Sequence, residues 1–237
     1  MITVELIRAR LEGVQRKIQR AAEKVGRNPD DVRLVVVTKA QPVEVVRLAI
    51  QAGALILGEN YADEAVAKQK ETGAPGVSWH MIGHVQGRKA ASVAGRFDFV
   101  HSVDSVKLAR RLDQAASREA GPLPVLIQLN VSGEASKSGF PAWAEEHWVG
   151  LRQSVLEISA FTALDVRGWM SIPPPAAHAE EARPYFAWTA LLGRRLNEAL
   201  GGRRAELSMG MSGDFEVAVE EGATLVRVGT AILGGRT

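Results

Sequence analysis

Eight short runs of apolar, mostly β-branched residues recur along the chain, with longer amphipathic stretches between most of them. The runs are RLVVVTK (33–39), ALILGEN (54–60), SWHMIGH (78–84), FDFVHSV (97–103), PVLIQLNVS (124–132), ALDVRGWMSI (163–172), ELSMGMS (206–212) and TLVRVGTAIL (224–233). Helical spacing marks 43–52, 62–71, 105–119, 143–159, 179–200 and 214–221. Strands joined through helices run parallel, because an antiparallel pair needs only a tight turn. Near-continuous Val/Ile/Leu marks strands covered on both faces. Eight such units in 237 residues predict an α/β chain folded as a single (β/α)8 TIM barrel, an architecture of about 250 residues. An extra helix over about residues 2–26 precedes it. A doubly wound open sheet is the competing arrangement, but its dinucleotide form needs a G-x-G-x-x-G after the first strand, which is missing. With no linker or low-complexity segment in view, residues 1–237 read as one domain.

Composition narrows the function. Apolar residues make up 46% and charged residues 24%, and the formal net charge is +2 with no long basic block. That is a poor footprint for nucleic acid. The absence of cysteine excludes disulfides and thiolate metal sites and suits a reducing cytoplasm. MITVELIRARLEGVQRKIQRAAEKVG interleaves charges with apolar residues, so it is no signal peptide. No run reaches membrane-spanning length. A cytoplasmic protein that binds neither membrane nor nucleic acid is expected.

Barrels of this kind build their sites at the C-terminal ends of the strands. Those ends carry Lys39, Glu59, Asn60, His84, His101, Ser102, Asn130, Ser132, Ser171, Ser212, Gly229 and Thr230, with Arg227 just before the last pair. Lys39 shares a strand face with Val35 and Val37 and admits two readings. It is either a lysine snorkelling from a strand end, or a partly desolvated amine able to form a Schiff base. The glycines in GMSGD and VGTAILGG either permit tight turns or bring backbone N–H groups, Ser212 and Thr230 to an anion. The loops after the last two strands are the recurrent phosphate site of such barrels. Arg227, inside an apolar run, either pairs with a neighbouring strand or faces a ligand. His80 and His84 lie about 13 Å apart on a strand and cannot share a metal, so no metal site is expected. GHVQGRK lacks the G-K-[ST] ending of a phosphate loop. NVSGEASKSGF reads as a mobile loop whose Lys137 and Ser138 are either solvated or a gate. Trp79 and Trp169 fall near the rim, where they could flank a ligand.

Taken together and in order, VVTK, GENYADE, WHMIGHVQGRK, HSVD, LIQLNVSGEASKSGF, RGWMSIPPP, LSMGMSGDFEVAVEEG and VRVGTAILG resemble the pyridoxal 5′-phosphate homeostasis proteins. This YggS-type family is also called proline synthase co-transcribed. The resemblance implies a barrel like the N-terminal domain of alanine racemase, with pyridoxal 5′-phosphate (PLP) held as a Schiff base on Lys39. It further implies that Ser212, Gly229 and Thr230 hold the phosphate and that Arg227 faces the pyridine nitrogen. The same resemblance implies that Asn60 and His80 line the pocket, with Met209 and Met211 packed close by. Two positions depart from the family's usual pattern, Trp169 and Gly213, and neither touches the Schiff base or the phosphate pair.

The resemblance also implies PLP buffering and delivery, with PLP-dependent apo-enzymes as possible recipients, in place of robust catalysis. An arginine donates only and stays charged, so Arg227 opposite the ring nitrogen leaves the ring a weaker electron sink. Racemases of this barrel type also carry an arginine there. They add a second, β-rich domain and a catalytic tyrosine from a dimer partner, and no stretch of this sequence reads as that domain. Tyr61 is the remaining rim tyrosine, and a monomer is expected. A PLP-dependent racemase or decarboxylase, and a PLP-independent Schiff-base aldolase, are the alternatives.

Overall fold

The computed structural model describes residues 2–119, 121–202 and 206–235. The strands are β1 (Arg33–Val37), β2 (Ile56–Glu59), β3 (Ser78–Met81), β4 (Phe99–Val103), β5 (Leu123–Asn130), a two-residue β6 (Phe140–Pro141), β7 (Leu164–Ser171), β8 (Glu206–Ser208) and β9 (Leu225–Val228). All pairings are parallel. The order β4-β3-β2-β1-β9-β8-β7-β5 closes through a β4–β5 pairing, and β6 adds a short strand to β5. This is the eight-stranded barrel that the alternating pattern predicts.

The helices are α1 (Val4–Lys24), α2 (Val43–Gln51), α3 (Ala62–Thr72), α4 (Ala90–Ala94), α5 (Val106–Ala116), α6 (Trp148–Ser159), α7 (Arg183–Ala199), α8 (Phe215–Glu220) and α9 (Thr230–Leu233). Strand alternation sorts side chains into two layers. Val35, Phe99, Leu126, Met170 and Leu225 pack inside the barrel. Their neighbours Val36, Val100, Ile127, Trp169 and Val226 join a larger layer beneath the helices. Trp79 and Trp169 belong to that outer layer, so neither flanks the barrel mouth. Trp169 lies beneath α7, where a Cβ on Gly193 would come within 2.8 Å of its ring. A glycine in the middle of a helix is unfavourable in itself; here it makes room for the indole.

Several strands are shorter than the sequence expectation, β1 ending at Val37 and β3 at Met81 among them, and the ends of β8 and β9 shape the site. The run 206–212 leaves the ladder after Ser208, which frees Met209–Ser212 as a loop. The run 224–233 ends as a strand at Val228, and Thr230–Leu233 forms a helical turn. The N–H groups of Ile232 and Leu233 both donate to Gly229 O at 2.9 Å. A short apolar run does not distinguish a strand from a buried helical turn.

Helix α1 begins at Thr3, whose hydroxyl accepts the Leu6 N–H at 3.3 Å. That bond satisfies one of the otherwise unpaired first-turn donors. The helix lies across α8 and α9, with Lys17 on Glu216 at 2.9 Å and Lys24 on Glu220 at 2.7 Å. Arg10 donates to Ile232 O at 3.1 Å, so the extra helix braces the segment after β9.

Candidate functional site

The barrel opens at its C-terminal end into a cavity of ≈ 300 Å³ lined by Lys39, Asn60, Ser212, Arg227, Gly229 and Thr230, among others. Of the nine residues that the resemblance assigns to the pocket, seven therefore meet at one place, Met211 being the seventh. The β1–β9 register sets Val35 opposite Arg227 and Val36 opposite Val228. The exits of both strands consequently stay together. A Cβ on Gly229 would stand 3.0 Å from Val37 O, so this close approach is tight for any larger residue.

Ser212 ties the loop after β8 to the turn after β9. Its hydroxyl oxygen accepts the N–H groups of Gly229 at 3.3 Å and Ala231 at 3.5 Å. Asp214 holds the preceding turn by accepting the Met211 N–H at 2.6 Å. Burial raises the Asp214 carboxyl above its ordinary range, against that hydrogen bond and the positive charge of Arg227. Gly210 adopts φ +91°, a left-handed conformation natural to glycine. Its carbonyl accepts the Arg227 N–H at 3.0 Å. Converging N–H groups and hydroxyls of this kind form a concavity suited to a phosphate.

Arg227 is buried and donates to Ser208 Oγ at 2.6 Å and Ser171 O at 3.0 Å. Among the described residues no carboxylate forms an ion pair with it. Burial pulls its pKa down to about 10, and Asp214 opposes that shift from a distance. It remains a cation at neutral pH, held by neutral dipoles.

Those dipoles form a chain through the barrel. Ser208 Oγ lies 2.9 Å from His101 Nδ1, His101 Nε2 lies 2.9 Å from His80 Nδ1, and His80 Nε2 lies 3.1 Å from Ser78 Oγ. Because arginine only donates, the Ser208 oxygen accepts from it and its own proton turns to His101 Nδ1. His101 then carries its proton on Nε2 and gives it to His80 Nδ1. His80 in turn donates from Nε2 to Ser78. Both rings stay neutral. Burial, helped by the charge of Arg33, lowers His80 to about 3. Burial, with His80, Arg227 and Arg33 adding to it, holds His101 well below its ordinary value.

His80 therefore does not line the pocket. It sits inside the barrel on β3, one layer beneath the mouth, and reaches the cavity only through His101, Ser208 and Arg227. Ile82 from the same segment lines the cavity instead. Met209 is likewise displaced, being fully buried in the outer layer; Met211, two residues later, lines the mouth. Tyr61 is exposed and flanks a separate surface hollow with Asp63, Arg88 and Lys89.

Asn60 is held close by an unusual approach. A Cβ on Gly83 would lie 2.4 Å from Asn60 O, so only glycine lets the exit of β3 cross it. A second cavity of ≈ 250 Å³ shares Asn60, Ile82 and Ile172 with the first and adds His84, Gln128 and Lys137. The loop carrying Lys137 is tied down. Asn130 Oδ1 accepts from the Ser132 and Gly133 N–H groups, Asn130 Nδ2 donates to Glu134 O, and Gln128 donates to Ser138 O. Lys137 Nζ binds Glu134 at 2.6 Å and Ile172 O at 3.3 Å. The polar Gly/Ser-rich composition reads as mobile, but the buried amide of Asn130 organises it.

Sequence reasoning missed Lys68 and the role of Ser208. Lys68 follows Ala62 and Ala65 at intervals of three, the buried face of α3. A lysine at a core position of an amphipathic helix is itself a signal, because such a cation is seldom buried without partners.

A buried cation, an amine at a strand end and an anion cradle within one small cavity suit a compact phosphorylated carbonyl compound with an acceptor atom at its far end. The cavity is of the size that small ligands occupy. The fold and the site define a barrel of the alanine racemase type: residues 10–237 match the family described as "Alanine racemase, N-terminal domain". Alanine racemase from Clostridium difficile shares the fold, with a TM-score of 0.70 at 17% identity over 98% of this chain and 57% of that one. Within that class, the chain belongs to the pyridoxal phosphate homeostasis proteins. It is 43% identical to the one from Pseudomonas aeruginosa over 94% of this chain and 93% of that protein. It is 41% identical to the one from Vibrio alginolyticus over 97% of each. PipY of Synechococcus elongatus, solved with PLP bound, superposes with a TM-score of 0.79 at 35% identity, covering 92% of this chain and 100% of PipY.

Proposed function

We propose that this chain binds PLP at the mouth of its barrel, through a Schiff base on Lys39, and serves to buffer and deliver the cofactor in the cytoplasm. The observation that carries the reading is the convergence of Lys39, Arg227 and the Ser212–Gly229–Thr230 cluster on one ≈ 300 Å³ cavity. Bound PLP supplies a reactive aldehyde and, when its ring nitrogen is protonated, an electron sink. Lys39 offers the amine that captures the aldehyde. Ser212, Gly229 and Thr230 offer hydroxyl and N–H donors to the phosphate. Arg227 offers a donor to the ring nitrogen and keeps its own proton at neutral pH, which leaves the ring a weak sink. Asn60 lines the side between the two cavities.

Weak catalysis follows from the same lining. Among the described residues around this cavity, Lys39 and Arg227 are the ionisable ones. A racemase needs a proton donor on each face of its substrate, and here Lys39 shares the lining with a guanidinium that stays charged at neutral pH. The family's relatives carry the name of homeostasis proteins, which accords with a carrier. The whole chain acts as one unit, as a monomer, with PLP-dependent apo-enzymes as recipients.

The test is to load the purified chain with PLP and incubate it with a panel of L-amino acids, following stereoinversion and decarboxylation. A PLP-dependent apo-enzyme is then added and its recovery of activity is timed. The expected result is recovery of the apo-enzyme without turnover of the amino acids. Turnover at ordinary enzyme rates, about 1 per second or more, contradicts the carrier reading.

A further inference from the structure

Lys39 sits between two residues whose backbones are gripped by one largely buried ionic cluster. On its N-terminal side, Thr38 donates its N–H to Gly58 O at 3.0 Å and its hydroxyl to Glu59 Oε1 at 2.7 Å. Its carbonyl accepts from Lys68 Nζ at 2.7 Å. On the C-terminal side, the Ala40 N–H donates to Glu64 Oε1 at 2.7 Å. The same ammonium of Lys68 holds Glu59 at 2.7 Å and Glu64 at 2.5 Å. An ammonium has three protons, and these three acceptors use them all. Lys68 is 5% exposed and Glu59 is fully buried, while Glu64 at the outer end of the cluster is partly exposed.

Ala40 shows what the grip does. It is the one non-glycine among the described residues with positive φ, at +56°. A Cβ disfavours that conformation, and such outliers persist where the surroundings over-determine them. Here the charge-assisted bond from Ala40 N–H to Glu64 supplies the restraint. The turn directs the chain from β1 into the segment before α2 and sets the direction in which Lys39 leaves the strand.

We propose that Lys68, acting through Glu59 and Glu64, is a positioning residue for Lys39: it fixes the backbone on both sides of that lysine so that the amine meets the aldehyde of the ligand. The inference rests on the PLP reading above. Capture is a condensation: the neutral Lys39 amine adds to the aldehyde carbon, a C=N bond replaces C=O, and one water leaves. The aldehyde oxygen departs with two protons from the amine, and no redox partner is required. The phosphate side is assigned to Ser212, Gly229 and Thr230 at the exits of β8 and β9, and none of the cluster's hydrogen bonds reaches them, so the cluster governs capture and leaves the cradle alone.

The experiment follows the rise of the yellow Schiff-base absorbance when PLP is mixed with the wild-type chain, Lys68→Met, Glu64→Gln and Glu64→Gln/Ala40→Gly. Each is also titrated with pyridoxine 5′-phosphate, which has an alcohol in place of the aldehyde. Displacement of a reacting group by 1 Å can lower a rate by ~100-fold, and we expect Lys68→Met and Glu64→Gln to slow capture by about tenfold or more on the same scale. Affinity for pyridoxine 5′-phosphate stays within about twofold of wild type, well under that loss of rate. Glycine reaches positive φ without a restraint, so Ala40→Gly restores part of the rate lost in Glu64→Gln. Unchanged capture rates would overturn the inference, as would a parallel loss of pyridoxine 5′-phosphate affinity, which marks a general disturbance of the pocket. If Lys68→Met does not fold, Glu64→Gln decides, since Glu64 is only partly buried and glutamine keeps its shape. A wild-type chain that forms no Schiff base at Lys39 would refute the cofactor reading itself and the inference with it.

Discussion

Replacing Ser208 with alanine removes the joint between Arg227 and the two histidines, and its cost follows from the bonds lost. Arg227 gives up a 2.6 Å hydrogen bond from a buried cation; bonds to charged groups contribute about 1.5–3 kcal/mol. His101 Nδ1 loses the hydroxyl at 2.9 Å that it accepts from, and an orphaned buried acceptor costs about 1–3 kcal/mol. The two losses share one site and do not add in full, which leaves a destabilisation of about 3 kcal/mol. For a chain of this size, each kcal/mol shifts Tm by about 2–4 °C. Thermal unfolding of Ser208→Ala followed by circular dichroism is therefore expected to show a fall of about 6–12 °C. A shift below about 1 °C, well under the loss of even one such bond, would mean that Arg227 does not depend on this chain. Nitrogen chemical shifts of the histidine rings give an independent reading. Both His80 and His101 should be protonated on Nε2, and a proton on Nδ1 of His101 would refute the direction of the chain.

The neutral histidines also predict the pH dependence of stability. His80 titrates at about 3 when folded against 6.5 for the free side chain, so the unfolded chain takes up its proton first. The contribution is fully present above the unfolded pKa and is lost as pH falls from 6.5 towards 3, at about 1.4 kcal/mol per pH unit. His101 shifts in the same direction and steepens the slope; urea unfolding at stepped pH that stays level below pH 6 would contradict both. Gly210→Ala places a Cβ 2.5 Å from Ala218 Cβ at φ +91°. Strain and overpacking together should cost about 2–4 kcal/mol in chemical unfolding, and a loss under about 0.5 kcal/mol, the range of an inert surface change, would contradict the packing described around the anion loop.

The barrel was legible because each strand–helix unit repeats the same change of period, and a closed parallel sheet follows from eight of them. Lys39, Ser212, Gly229 and Thr230 were legible for a related reason: they stand where strands end, and strand ends form the mouth. His80 was misplaced because a sequence shows that a residue lies near a strand end but not how many layers below the rim it sits. Met209 was misplaced because Ser208 ends its strand early, and the side chain then turns to the helix layer. Residues 229–233 read as strand since so short and largely apolar a run fits either period. The grip of Lys68 on Thr38, Glu59 and Glu64 joins two strand ends to a helix, and neither spacing nor composition expresses such a contact. Its one trace is a lysine on the buried face of α3.

The central claim is that PLP is captured by Lys39 and by no other lysine. The direct measurement is a visible absorption spectrum of the purified chain after addition of PLP, followed by borohydride reduction and peptide mapping, with Lys39→Ala alongside. The account predicts a yellow chromophore, a reduced pyridoxyl group on the peptide containing Lys39, and loss of both in Lys39→Ala. The absence of a chromophore, or label spread over surface lysines and unchanged by Lys39→Ala, would contradict it.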